Sequence, residues 1–277
     1  MNDSTFGRSS GGAVPRPVIV AIAVALLAAI GVGAWYYWRA ATPAAPPAAL
    51  PGPAGSAETQ AEHIEHPAPP APADVFAGPI PDLADSDKAL LDSLDKAAAG
   101  APLLQFLVPE SIVRHVVVTI DNLARQKVAV DKMPVRPTPG NFLVDGDELH
   151  ATIDKRNFHR YAPLVALISK IDTQRVAAVY LHFYPLFQQA YQDLGYPTGY
   201  FNDRLVAVID LLVATRQVTA PIDLTRPNVL YVFADPQLEA LPAGQKILIR
   251  MGPENAAVVK AKLLELRALV TAAAPKH

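Results

Sequence analysis

The chain has 277 residues, no cysteine, a formal net charge of −2 and 51% hydrophobic residues. The absence of cysteine removes disulfides, thiolate chemistry and lipoprotein acylation. Residues 1–39 carry +2, residues 40–79 carry −4, and residues 80–277 balance 21 basic against 21 acidic residues. A neutral main body without a basic stripe argues against nucleic acid as a partner, since phosphate neutralisation dominates that binding.

Residues 1–17 read as a cytoplasmic tail and residues 18–38 as a transmembrane helix. Val18 to Trp38 is a run of 21 uncharged residues between Arg16 and Arg39. At about 1.5 Å per residue it is long enough for a hydrocarbon core of roughly 30 Å. Trp35, Tyr36, Tyr37 and Trp38 close the run, and such rings favour the headgroup region. The run exceeds a signal-peptide core of about 7–15 residues, so it reads as an uncleaved anchor. Arg8, Arg16 and the α-amino group precede it, whereas no Lys or Arg follows Arg39 until Lys88. The positive-inside rule then puts the N-terminus in the cytoplasm and the remainder outside it.

Residues 39–79 read as a disordered Pro/Ala-rich linker. Ten prolines fall between Ala40 and Pro79, with almost no large apolar residue. Such a tract buries too little to offset its ordering entropy. At about 3.1 Å per residue its forty residues reach on the order of 120 Å. Glu62-His63-Ile64-Glu65-His66 offers two imidazoles, but without fixed geometry it reads as tether rather than as a metal site.

Residues 80–277 are expected to form a mostly α, multi-helix globular domain with a minor β-hairpin or small sheet. Asp85 suits the N-cap of a first helix, with Leu90, Leu91, Leu94 and Ala98 on one face. Pro109 suits the first turn of a second, whose Ile112, Val113, Val116, Ile120 and Leu123 recur at three and four. The prolines between Met133 and Asn141 mark a loop. Phe142 to Ile153 alternates about Asp145-Gly146 and predicts a hairpin, extended into a sheet by Pro221 to Leu224 or Val229 to Phe233. Asp154 and Asp172 are expected to cap the next two helices. The second carries Val176, Val179, Tyr180, Phe183, Phe187 and Tyr191 in one stripe, is kinked at Pro185 and ends at Gly195. Further helices are expected near Asn202, at Asp235-Pro236, and from Pro253 onward.

Four stretches together resemble a known family: Pro134-Val135-Arg136-Pro137-Thr138-Pro139-Gly140, Leu194 to Leu205 (LGYPTGYFNDRL), Val229 to Pro236 (VLYVFADP), and Gln245 to Asn255 (QKILIRMGPEN). The chain is similar over roughly Leu83 to Val270 to the bacterial domain-of-unknown-function family 3014. The resemblance implies an envelope protein of the Gram-negative type with an N-terminal anchor; with the charge bias above, this makes it a single-pass inner-membrane protein whose C-terminal domain is expected in the periplasm. It implies no reaction, substrate or site.

The residues themselves supply no Gly-rich phosphate loop, nucleophile elbow or His-x-x-x-His pair. His115, His150, His159, His182 and His277 lack ligand spacing. No catalytic residue, metal ligand or cofactor is assigned. Arg136, Tyr200, Asp203, Arg204, Arg250 and Glu254 form the candidate ligand-binding set. The structural reading makes Asn202, Asp203, Glu254 and Asn255 capping or first-turn residues, with the arginines as ion-pair partners. The functional reading has the set converge on a cleft where arginines hold a carboxylate or phosphate beside Tyr196 or Tyr200. The aromatic stripe from Tyr180 to Tyr191 reads as core, with Tyr184 off its main face. The leading functional expectation is a non-enzymatic envelope module that binds another protein or a cell-wall component. The alternatives are a periplasmic hydrolase or small anionic-ligand-binding domain, and a passive spacer.

Overall fold

A computed structural model describes residues 64–72, 78–147 and 150–272. The tail at residues 1–17 and the expected membrane segment at 18–38 lie outside the described residues. No helix among the described residues is long and apolar enough to cross a membrane.

The domain is mostly helical, with nine α-helices among the described residues and one small antiparallel sheet. Helix α1 (Ser86–Ala98) follows a short 3-10 turn. Its Leu90, Leu94 and Ala98 are buried, following the expected stripe. Helix α2 (Ile112–Leu123) begins three residues after Pro109 rather than at it. The reason is tertiary: the Asp87 carboxylate of α1 accepts hydrogen bonds from the main-chain N–H groups of Ser111 (2.6 Å) and Ile112 (2.8 Å), which fixes the start. Val116 and Val117 are buried on α2, so helical period prevails over their local strand preference.

Strands β1 (Val144–Asp145) and β2 (Ala151–Ile153) form the expected hairpin, with Val144 opposite Ile153. Gly146 turns at φ +91°, where an added Cβ would lie 2.2 Å from the His150 carbonyl oxygen. Strands β3 (Asp223–Thr225) and β4 (Val232–Phe233) complete an antiparallel meander in the order β1-β2-β3-β4. Both tracts expected to extend the hairpin therefore do so.

Helix α3 is Arg156–Lys170, and its N-cap is Lys155 rather than Asp154. Asp154 nevertheless accepts from the Arg156 N–H at 2.8 Å. The single kinked helix expected from Asp172 to Leu194 is two helices, α4 (Thr173–His182) and α5 (Tyr184–Asp193). Pro185 lacks an N–H and its ring collides with the carbonyl four residues earlier, so here it opens a new helix instead of bending an old one. Asp172 caps α4 through the Gln174 N–H at 2.6 Å. Helix α6 is Phe201–Val213, α7 is Pro236–Glu239 and α9 is Pro253–Val270. Helix α8 (Ala243–Arg250) had no sequence expectation. It spans only eight residues, too few for a stripe at three and four to stand out, and its polar Gln245 and Lys246 are buried, bonded to Leu211 and Glu239.

Two apolar cores result. The larger joins α1 to α6, α8 and α9, with Ile112, Ile168, Phe201, Ile209, Met251 and Val270 almost fully enclosed. Each such side chain contributes about 1.5–3 kcal/mol on burial. The smaller holds Ala151, Ile153, Leu224 and Phe233 of the sheet against Leu238 of α7 and Ile249 of α8. Helix α8 thus faces both cores, with Ile247 and Leu248 in one and Ile249 in the other.

Residues 64–72, assigned by composition to the linker, are held against the N-terminal end of α6. A domain boundary at residue 80 leaves out this strap. Composition reports too little apolar burial for independent order, whereas here the order comes from main-chain hydrogen bonds to the domain.

Candidate functional site

The site grows out of the loop between α5 and α6. Gly195 leaves α5 at φ +113°. Tyr191 stacks on Tyr196, with ring centroids 4.5 Å apart. Gly199 must pass that stack closely, since an added Cβ would lie 2.8 Å from the Tyr191 ring. Gln188 of α5 then pins the turn. Its Nε2 donates to the Gly199 carbonyl (2.7 Å), and its Oε1 accepts from the Phe201 N–H (2.8 Å) and from the Tyr184 hydroxyl (3.0 Å). The Phe201 ring anchors the start of α6 in the core, stacked 6.0 Å from Phe187.

This leaves Tyr200, Asn202 and Asp203 around one corner. Asn202 is completely buried. Its Oδ1 accepts from the Tyr180 hydroxyl at 2.9 Å, and its Nδ2 donates to the Val270 carbonyl at 3.0 Å. The same Nδ2 donates to the His66 carbonyl of the strap at 2.8 Å. Asp203 accepts from two successive strap N–H groups, Glu65 at 3.2 Å and His66 at 2.6 Å. The Tyr200 hydroxyl accepts from the Ala68 N–H at 2.9 Å. The Tyr184 ring lies 5.7 Å from that of Tyr200 and 5.7 Å from that of Tyr180. Burial pushes both the Tyr180 and Tyr184 hydroxyls well above the ordinary phenol range, so each stays a neutral hydrogen-bonding group.

Arg204 turns the other way. Its Nη2 lies 2.9 Å from Asp121 Oδ1 and donates to the Asp121 main-chain carbonyl at 2.7 Å. Asp121 is almost fully buried on α2, and Arg125 reaches its second oxygen at 2.7 Å. The Tyr196 hydroxyl lies 3.3 Å from both carboxylate oxygens and accepts from Arg125 at 2.7 Å. Arg204 is thus a fold-stabilising cation, in line with the ion-pair reading of the motif.

The rest of the candidate set lies elsewhere. Arg136 is exposed, and its Nε donates to the Leu107 carbonyl at 3.1 Å. That contact sits beside the isolated bridge between Leu107 and Val135. Arg250 places its guanidinium 4.8 Å from the Phe233 ring centroid. Glu254 is exposed in the first turn of α9, where a carboxylate favours the helix dipole. Asn255 bonds the Phe158 and Met251 carbonyls at 2.9 and 2.8 Å. Of the six candidates, the structure brings Tyr200 and Asp203 together on the strap and gives the other four different neighbours.

Residue reasoning missed Gln188 and Asp121 as organisers of the site. Gln188 lies four residues after Tyr184 on the flank of the apolar stripe, where its part-buried amide gives only a weak signal. Asp121 is one acidic residue in an otherwise apolar helix period, and that was the available clue. The stripe itself is core as expected: Tyr180, Phe183, Phe187 and Tyr191 are buried, and Tyr184 is half-buried. Among the described residues no group of three or more His, Asp or Glu side chains is placed to share a metal ion.

Fold and site together define a mostly helical domain with a four-stranded antiparallel sheet, holding a proline-rich segment of its own chain at one helix end. Residues 112–267 match the family described as Protein of unknown function (DUF3014), and the chain belongs to that family. No curated protein and no solved structure matches the chain.

Proposed function

We propose that this chain is a single-pass inner-membrane protein whose periplasmic helical domain binds another protein or a cell-wall component, without catalysing a reaction. The observation that carries the binding part is the captured strap. Three N–H groups and one carbonyl of a proline-rich segment meet Asp203, Tyr200 and Asn202. Main-chain capture of this kind is how many peptide-recognition domains gain affinity. The anchor, its charge bias and the residues after it support the membrane part.

Two experiments test this reading. A reporter fused after His277 should be active outside the cytoplasm, and activity confined to the cytoplasm overturns the topology. A photo-crosslinking residue at exposed Thr198, beside the site, should recover one specific partner in cells, while the same residue at exposed Leu264 on α9 should not. No specific product from Thr198, with an unchanged envelope phenotype on deletion, overturns the interaction role.

A further inference from the structure

The strap has a chemistry of its own. From Glu65 to Pro70 only Glu65, His66 and Ala68 own a backbone N–H, because residues 67, 69 and 70 are prolines. All three are taken by the domain, two by Asp203 and one by Tyr200. The one strap carbonyl held is that of His66, bonded by buried Asn202. Between Glu65 and Pro70 the domain therefore satisfies every main-chain donor. A sequence without the prolines would bring extra N–H groups to the site, in need of acceptors. Proline also holds the segment extended before it binds, which lowers the ordering cost.

We propose that the Tyr200–Asn202–Asp203 corner is a binding site for proline-rich polypeptide, and that residues 64–72 of the same chain, bent at Glu65 and His66 so that both N–H groups reach Asp203, are its resident occupant, a latch that a partner segment of like chemistry displaces. The partner half of this statement rests on the interaction role proposed above; the latch itself does not. The strap rejoins the domain within about a dozen residues, so its effective concentration at the site is on the order of 1 mM. For a segment of intrinsic Kd about 0.1 mM, such a cis occupant raises a competitor's apparent Kd roughly tenfold.

The test uses the full chain in detergent micelles. Amide hydrogen exchange at Glu65, His66 and Ala68 should be at least about tenfold slower than in a free peptide of sequence Ile64–Pro72. A fluorescent copy of that peptide is then titrated by anisotropy against the natural chain and against the double variant His66→Pro, Ala68→Pro, which lacks two of the three latch donors. The double variant should bind the peptide roughly tenfold more tightly than the natural chain. Adding Asp203→Ala to it should abolish the gain. Tyr200→Phe, which removes only the hydroxyl, should weaken binding without disturbing the helix end. A peptide with glycine at each proline should bind several-fold more weakly.

Equal affinity for the natural and double-variant chains overturns the latch, as does free exchange at the three amides. Insensitivity to both Asp203→Ala and Tyr200→Phe overturns the site. Protection that disappears on dilution replaces the cis latch with exchange between copies. Peptide displacement in vitro with no crosslinked partner in cells leaves the latch standing and removes the proposed function. A crosslinked partner whose capture ignores both the Asp203 and the strap variants does the reverse.

Discussion

Asp121 holds two arginines at nearly the same distance, so distance does not rank them. Arg125 Nη2 lies 2.7 Å from one carboxylate oxygen and Arg204 Nη2 lies 2.9 Å from the other. Exposure does rank them. The Arg125 side chain is 55% exposed, Arg204 27% and Asp121 5%. An exposed pair contributes about 0–1 kcal/mol, since water screens it and a long side chain loses rotamers. Removing one partner of a fully buried pair costs about 3–5 kcal/mol. Arg204→Ala is milder than that limit, because Arg125 and Tyr196 stay on Asp121, but it also loses the bond to the Asp121 carbonyl. The expected cost is about 2–3 kcal/mol for Arg204→Ala and under about 1 for Arg125→Ala. For a domain of this size these correspond to falls of roughly 4–12 °C and up to about 4 °C in Tm. Asp121→Ala, which strands both cations, should exceed either. Thermal and urea unfolding at low salt and near 0.5 M salt provides the assay, since salt should erase the Arg125 contribution and leave most of that from Arg204. If Arg204→Ala costs no more than Arg125→Ala, or salt cancels both alike, the carboxylate is not shielded. Arg204 would then be a free cation, and the case for an anionic ligand at this helix would reopen.

Gly252 and Gly100 both lie at φ +87°, but a Cβ at Gly252 would be 2.6 Å from the Phe158 ring, while at Gly100 it meets nothing within 4 Å. Gly100→Ala should therefore report backbone strain alone, about 1–2 kcal/mol, and Gly252→Ala should add about 1–3 kcal/mol of overpacking, read as a difference in urea midpoint at constant m-value. Asp87→Ala removes the carboxylate that caps α2 through Ser111 and Ile112, and should cost about 0.5–2 kcal/mol and raise amide exchange in the first turn of α2. His115 is held below its ordinary value of 6.5, first by burial and then by the Lys132 charge. Its Nδ1 is buried without a hydrogen-bond partner. The unfolded chain therefore takes up the proton first, so this histidine's contribution is intact above pH 6.5 and is lost as pH falls from there through its folded value. His115→Gln should flatten the fall in Tm between about pH 7 and pH 5, and an unchanged slope would refute the assignment.

Periodicity carried most of the helices because their polar faces meet water. Leu90, Leu94 and Ala98 on α1, and Ile112, Val116 and Ile120 on α2, repeat at three and four for that reason. It failed on α8, whose eight residues give barely two turns of pattern and whose polar Gln245 and Lys246 are buried between two cores. Pro185 could be placed from sequence as an interruption, but whether it bends one helix or begins another depends on Phe183 burying its ring at the junction, a tertiary event. The site was half legible. A polar Asn-Asp-Arg run opening α6 marks a helix end with something to hold. That Arg204 faces a buried Asp121 while Asp203 faces a strap more than a hundred residues earlier in the chain is a matter of long-range pairing, which no local window contains.

Strap and anchor acquire a joint meaning on the proposed topology. With the strap docked, the stretch left to the proposed tether is residues 39–63, whose length at about 3.1 Å per residue would be at most roughly 80 Å. Releasing the strap returns residues 64–79 to the tether and raises the limit to on the order of 125 Å. A partner that occupies the Asp203 corner would therefore lengthen the domain's reach by about half at the moment of binding. The composition of the strap suits both states. Its prolines present no unsatisfied donor when docked and keep the segment extended when released. His66→Pro with Ala68→Pro should then give crosslinks to targets farther from the membrane than the natural chain does. The Asp203→Ala variant should share that longer reach while having lost the partner site. A chain whose crosslinking radius is indifferent to all three substitutions would separate the strap from the tether and reduce it to a local element of the fold.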